Sequence, residues 1–182
     1  MMSLIDSDTR ISLPVRCPQI AEKYVTRSSP KRIKEAVFKI AKYFRREGNY
    51  DFTQFNLEDK EDYQVYLFKR EYFNGRTGDE GSEIFGCACF RWRENEEFSA
   101  RWSMQWVWLH PYFRNQGLLK NVWPEFIEKF GANFFIETPY SRAMLEFLKV
   151  HASDEQLALF HTLGWSALFP RKEESYPVDG GQ

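Results

Sequence analysis

The segment Leu109-His110-Pro111-Tyr112-Phe113-Arg114-Asn115-Gln116-Gly117-Leu118-Leu119 combines the features of an anion-holding turn. An aromatic, strand-prone run enters it and a helical apolar pattern leaves it. A turn in this position can aim several backbone N–H groups at the mouth of a helix, where they and the helix dipole favour phosphate. Gly117 removes the Cβ that would keep a ligand off the backbone. Taken alone, Gly117 is equally an ordinary helix-start glycine, and Arg114 an ordinary surface arginine. The strand–turn–helix context favours the ligand-binding reading.

Other reactive side chains say less. Cys87 and Cys89 alternate on a strand-prone run and share a face, but no second ligand pair stands at a metal-site spacing. Buried thiols are the better reading, and no metal is expected. His110 precedes Pro111 and reads as structural. His151 ends a helical run, where an imidazolium interacts well with the dipole. His161 has an intrinsic pKa suited to proton transfer. Strand alternation predicts that Trp102, Trp106 and Trp108 share one face, as core or as a pocket wall.

These residues need elements to hold them. Ile11–Arg16 is a short β-prone run. Lys31–Glu47 repeats Ile33, Val37, Ile40, Ala41 and Phe44 at helical spacing, with Gly48-Asn49 as a stop. Tyr63–Glu71, Ile84–Trp92 and Ser99–Leu109 are strand candidates joined by short links, which predicts an antiparallel meander. Gly117–Phe130 is a helix with Pro124 inside it, a residue that removes a backbone donor. Asn133–Glu137 is a short strand, Pro139–Val150 and Asp154–Leu163 are helices, and Trp165–Phe169 is a last strand.

A chain of 182 residues suits one domain with a real core. The reading is a domain over 1–170 and a polar tail over 171–182. The aromatic share of 18% predicts a core or pocket rich in rings. A formal net charge of −1 argues against nucleic acid and membrane surfaces as partners. No apolar run is long enough to span a bilayer, and no signal pattern opens the chain. With only three cysteines, a cytoplasmic location is expected.

The turn around Gly117 resembles the acyl-CoA pyrophosphate loop of the GCN5-related N-acetyltransferase (GNAT) superfamily. That pattern is Gln or Arg, two residues, Gly, one residue, then Gly or Ala. Arg114 and Gly117 fit it; Leu119 stands where a small residue is usual. A second segment, Ser153-Asp154-Glu155-Gln156-Leu157-Ala158-Leu159-Phe160-His161-Thr162-Leu163-Gly164-Trp165, is similar to the family's late helix. Ser153 stands at the family's Asn position, Phe160 at its Tyr position and Trp165 at its Phe position. The two matches cover Ser99–Phe169 in the right order. Pro139–Val150 is an extra helix between them.

The resemblance implies an α/β (α+β) fold: a mixed, mostly antiparallel central sheet flanked by helices, with a splayed pair of strands at the CoA site. It implies acetyl transfer from acetyl-CoA to an amine acceptor by direct attack. Val107, Trp108 and Leu109 would run beside the pantetheine arm. Arg114, Asn115, Gln116, Gly117, Leu118, Leu119 and Lys120 would form the pyrophosphate loop, with Arg114 bracing it. Ser153 and Phe160 would border the cofactor from the late helix. Phe160 has no proton to give a departing thiolate. Glu137, at the end of the strand after the loop helix, is the first choice of base. Gln105 can orient a water, and Ser103 occupies a position where some members carry a glutamate. The carboxylates Glu58, Asp59, Glu61 and Asp62 lie in a region that borders the acceptor cleft, and read as a cation-attracting wall or as a solvated loop. A homodimer is compatible with this reading. The alternatives are a non-catalytic module of the same fold, binding CoA or a protein partner, and a structural α/β protein without a CoA site.

Overall fold

The computed structural model describes residues 14–94 and 100–157. The chain divides into two units, Met1–Thr138 and Pro139–Gln182. The first holds a mixed, mostly antiparallel sheet flanked by helices.

Its strands are β1 (Val15–Cys17), β2 (Tyr24–Val25), β3 (Tyr63–Phe73), β4 (Glu80–Arg93), β5 (Arg101–Leu109) and β6 (Phe135–Ile136). The sheet order is β2-β3-β4-β5-β6, and β1 pairs with the early part of β4. Every pairing is antiparallel except β5–β6. The expected meander is therefore β3, β4 and β5. β3 and β4 run longer than anticipated, because their pairing continues through Glu71, Tyr72 and Phe73 to Glu80. The two-residue β2 carries too little pattern to be read in advance.

Helix α1 spans Lys31–Glu47. Ile33, Ala36, Val37, Ile40 and Ala41 recur at three- and four-residue spacing and are buried. They pack with Val65, Leu67, Cys87, Cys89, Trp106 and Trp108 on one face of the sheet. The helix stops because Asn49 turns left-handed at φ 52°, while Gly48 itself stays right-handed. The last turn carries Arg45 and Arg46, favourable at a helix C-terminus.

Helix α2 spans Leu118–Phe130. Its rings pack on the opposite face of the sheet: Phe126 against Tyr66 and Phe90, and Phe130 stacked on Phe90 at 3.9 Å. Complete burial of Phe126 is worth about 1.5–3 kcal/mol. Pro124 lies within the helix, so the Lys120 carbonyl lacks its usual donor four residues on.

The expectation that Trp102, Trp106 and Trp108 share a face is overturned. A bulge in β5 sets Cys89 opposite Trp106 but Phe90 opposite Met104, so Gln105 is the extra residue. Period-two alternation fails across it. Trp106 and Trp108 join the α1 side of the core, whereas Trp102 meets Phe130 of α2 at 5.3 Å.

In the second unit, α3 covers Arg142–His151. It begins at Arg142 rather than Pro139 because Ser141 caps it, its Oγ accepting from Met144 N at 3.1 Å. A further helical turn occupies 154–157. Ser153 Oγ accepts from Gln156 N at 3.1 Å, and Gln156 Oε1 accepts from Ser153 N at 3.0 Å. This reciprocal pair is a capping box. Phe160, His161, Trp165–Phe169 and the tail 171–182 lie outside the described residues.

Candidate functional site

Strand β5 supplies both parts of the site. At its C-terminal end, Gly86 lets it approach β4 closely: a Cβ there would sit 2.6 Å from the Trp108 carbonyl oxygen. His110 N then donates to Phe85 O at 2.8 Å, and His110 Nδ1 accepts from Tyr112 N at 3.2 Å. Pro111–Phe113 form a single 3-10 turn, and Phe113 stacks on Phe85 at 4.2 Å. Strands β4 and β5 and the turn are thus tied together by backbone and ring contacts.

Asn115 and Gly117 both adopt left-handed conformations, at φ 60° and φ 72°. Gly117 O accepts the first helical bond, from Asn121 N at 2.9 Å. The N–H groups of Asn115, Gln116, Gly117, Leu118, Leu119 and Lys120 have no acceptor among the described residues. A Cβ built at Gly117 would find open space, its nearest neighbour being Asn121 Oδ1 at 4.0 Å.

Arg114 is turned away from these amides. Its Nε donates to Leu109 O at 2.7 Å and its Nη2 to Glu47 Oε2 at 2.6 Å. Trp108 Nε1 donates to the same Glu47 oxygen at 2.8 Å. Burial would raise the Glu47 carboxyl, but the Arg114 and Trp108 hydrogen bonds and the Arg114 charge outweigh it and hold it below its usual range. Glu47 went unnoticed in the sequence, since a carboxylate in a helix's last turn carries no signal of a partner in a distant turn.

The second part lies where β5 meets β6. Their parallel pairing covers only Ser103↔Phe135 and Met104↔Ile136, followed by Glu137 N to Met104 O at 2.9 Å. From Trp106 to Leu109 that edge of β5 has no strand partner among the described residues. Ser103, Gln105 and Glu137 are brought into one polar network at this point. Ser103 Oγ donates to Glu137 Oε1 at 3.0 Å. Arg93 Nε donates to the same oxygen at 2.8 Å, and Arg93 Nη2 to Glu137 Oε2 at 3.3 Å. Gln105 Oε1 accepts from Arg91 Nε at 2.7 Å.

The acidic loop joins the network. Buried Arg91 pairs with Asp59, and Arg93 with Glu61 at 2.9 Å. Burial pulls the Arg91 guanidinium down, but its Asp59 hydrogen bond and neighbouring anions raise it further than burial lowers it. Asp62 pairs instead with Arg27 at 3.3 Å. Asp59, Glu61 and Asp62 are thus engaged by arginines, and Glu58 is exposed. Arg91 and Arg93 were missed by the sequence reading because charged residues late in a strand look like a solvated end.

Cys87 and Cys89 are buried on the α1 side, and burial pushes the Cys89 thiol up to about 12. An open cavity of about 460 Å³ lies beside Arg16, Arg70, Tyr72 and Glu83. None of residues 103–120 lines it. No helix among the described residues is long and apolar enough to cross a membrane.

No family model matches the chain, and no curated protein matches it. Among solved structures, a tetramutant of the BH1408 protein from Bacillus halodurans is similar over 84% of this chain and 96% of that one, at 10% identity and TM-score 0.41. A single-substitution mutant of the same protein covers 84% of this chain and 94% of its own, at 12% identity and TM-score 0.35. Neither likeness bears on what the chain does.

Proposed function

We propose that the chain is a GNAT-type N-acyltransferase that transfers an acetyl group from acetyl-CoA to an amine. The observation that supports this reading is the run of six N–H groups, Asn115 to Lys120, that have no acceptor among the described residues, at the mouth of α2 and next to the edge of β5 that no described strand pairs. Such a nest suits a pyrophosphate. The open edge at Trp106–Leu109 is where the pantetheine arm would lie, bringing the thioester toward Gln105 and Glu137. The distance from Leu109 back to Gln105 is about 13 Å along the strand.

In this reaction the neutral amine attacks the thioester carbonyl. A C–N bond forms, the C–S bond breaks, and the sulfur leaves as CoA thiolate. A backbone N–H of β5 would stabilise the oxyanion. The amine proton passes to Glu137 directly or through a water held by Gln105 or Ser103, and the thiolate takes a proton from solvent. Arg114 braces the loop from behind, leaving the phosphates to the amides.

One observation favours a second reading, a CoA-binding module without turnover. Glu137 offers about four lone-pair positions, and Arg93 and Ser103 engage three of them. The test has two stages. Calorimetry with CoA up to millimolar concentration should show binding, and its absence removes both readings. Thiol release from acetyl-CoA with a panel of amines then decides between enzyme and module.

A further inference from the structure

The polar network contains an anion-binding point between two guanidiniums. Arg91 and Arg93 lie on the α1 face of β4, two residues apart. Arg91 commits Nε to Gln105 and Nη2 to Asp59 and Gln54 O. Arg93 commits Nε and Nη2 to Glu137. What remains is one Nη1 on each, and both converge on a single atom, Glu61 Oε2, at 3.5 Å and 2.9 Å. The two arginines differ from Glu61 in rigidity. Arg91 is 4% exposed and pinned by three other acceptors, and Arg93 is fixed by a two-point clasp on Glu137. The Glu61 side chain is 56% exposed and, among the described residues, has no partner besides these two arginines.

We infer that Glu61 stands in for the carboxylate of a ligand, and that the acceptor is an amine bearing a carboxylate, such as an amino acid. This rests on the acyltransferase reading for the acceptor's role. The geometry of the anion point does not depend on it. A carboxylate replacing Glu61 Oε2 would gain two charge-assisted hydrogen bonds, the strong class of such bonds. Its own amine would then lie on the Glu137 side of Arg93, because one guanidinium joins both carboxylates. Glu137, just after β6, and Ser103 of β5 face that position. Anchor and proton acceptor are thus held by the same side chain. The exposed, singly rooted Glu61 yields its place when the substrate arrives.

The experiment compares carboxylate-bearing acceptors with matched amines lacking the carboxylate, for example phenylalanine with phenethylamine and alanine with ethylamine. Thiol release from acetyl-CoA is the first readout. Saturation-transfer NMR with the corresponding N-acetyl compounds is the second, and needs no turnover. Carboxylate compounds should be favoured about ten- to a hundredfold, the worth of hydrogen bonds to a charged group. Arg93→Gln should remove that preference in the NMR binding readout, which does not depend on the Glu137 that Arg93 also holds. Glu61→Ala should tighten carboxylate binding by about two- to fivefold, the size of an exposed ion pair. Equal handling of both series, or no carboxylate binding in wild type and Glu61→Ala alike, overturns the inference. Carboxylate binding without CoA binding or thiol release overturns the acyltransferase reading and leaves the anion point standing.

Discussion

Glu47, the last residue of α1, and Arg114, in the turn between β5 and α2, are joined by a 2.6 Å ion pair across 67 positions of sequence. The same carboxylate oxygen also accepts from Trp108, so helix, strand and turn meet at one atom. The turn is held from the side away from its free amides, and its arginine is spent on that task.

Loss of this brace should loosen the turn without removing a phosphate ligand. Arg114→Ala should cost about 1 kcal/mol of stability, one net hydrogen bond plus a half-exposed ion pair. It should weaken CoA binding about tenfold, on the order of 1.4 kcal/mol. Glu47→Gln should have a smaller effect on both, since an amide oxygen still accepts from Trp108. Calorimetry and thermal melts check this; wild-type CoA affinity in Arg114→Ala would refute the brace.

Gly117 separates strain from ligand exclusion. Its Cβ would meet open space, so Gly117→Ala has only the left-handed backbone to oppose it, at about 1–2 kcal/mol. Gly117→Glu adds a carboxylate where phosphate is expected and should abolish CoA binding. If both variants melt alike and only Gly117→Glu fails to raise its melting temperature with CoA, the site lies at this turn. Retained binding in Gly117→Glu would place it elsewhere.

Acid should destabilise the sheet through Glu83. This carboxylate is buried between Arg16, at 3.2 Å, and Arg70, at 2.6 Å. Burial pushes its pKa up, but the Arg70 and Arg16 hydrogen bonds and charges bring it below the usual range. A depressed carboxylate contributes its full stabilisation above the unfolded value, about 4.3, and loses it as pH falls through the lower folded value. Wild type should therefore lose more stability than Glu83→Gln on acidification below about pH 4.3. At pH 7 the substitution should cost about 1–3 kcal/mol, because both arginines are more than half exposed and regain water. Parallel pH–melting curves for the two proteins would contradict the assignment.

The sequence made the long periodic elements legible and concealed what depends on register. Ile33 to Ala41 define α1 by spacing alone, and the aromatic runs define β3 to β5. The bulge at Gln105 left no mark in composition, so Trp102 was expected on the face of Trp106 although it packs against Phe130. The turn at Gly117 was readable because a glycine between strand and helix patterns has few uses. The partners of Glu137 were not readable, since Arg93 and Ser103 reach it only through the pairing of three strands. Charges in the 58–62 loop left open a cation-attracting wall or a solvated loop; the structure pairs Asp59 and Glu61 with arginines instead.

The proton route is the sharpest test of turnover. Glu137 holds two donors on Oε1 and one on Oε2, which leaves one acceptor position on Oε2 for an incoming proton. If that position serves the amine, Glu137→Gln should lower turnover roughly ten- to a thousandfold, at or below the usual span for general-base catalysis. The limb of the pH–rate profile that reports the base should disappear with it. CoA binding should stay nearly unchanged, because the turn proposed to hold the pyrophosphate is built from residues 109–120 and, among the described residues, shares no hydrogen bond with Glu137. A merely structural role would instead lower the melting temperature and leave the pH profile intact, since Arg93 would keep Glu61 as its partner. Wild-type turnover and an unaltered profile in Glu137→Gln would exclude Glu137 as base. The proton would then leave through a water held at Gln105 or Ser103, and Gln105→Ala should slow the reaction where Glu137→Gln did not.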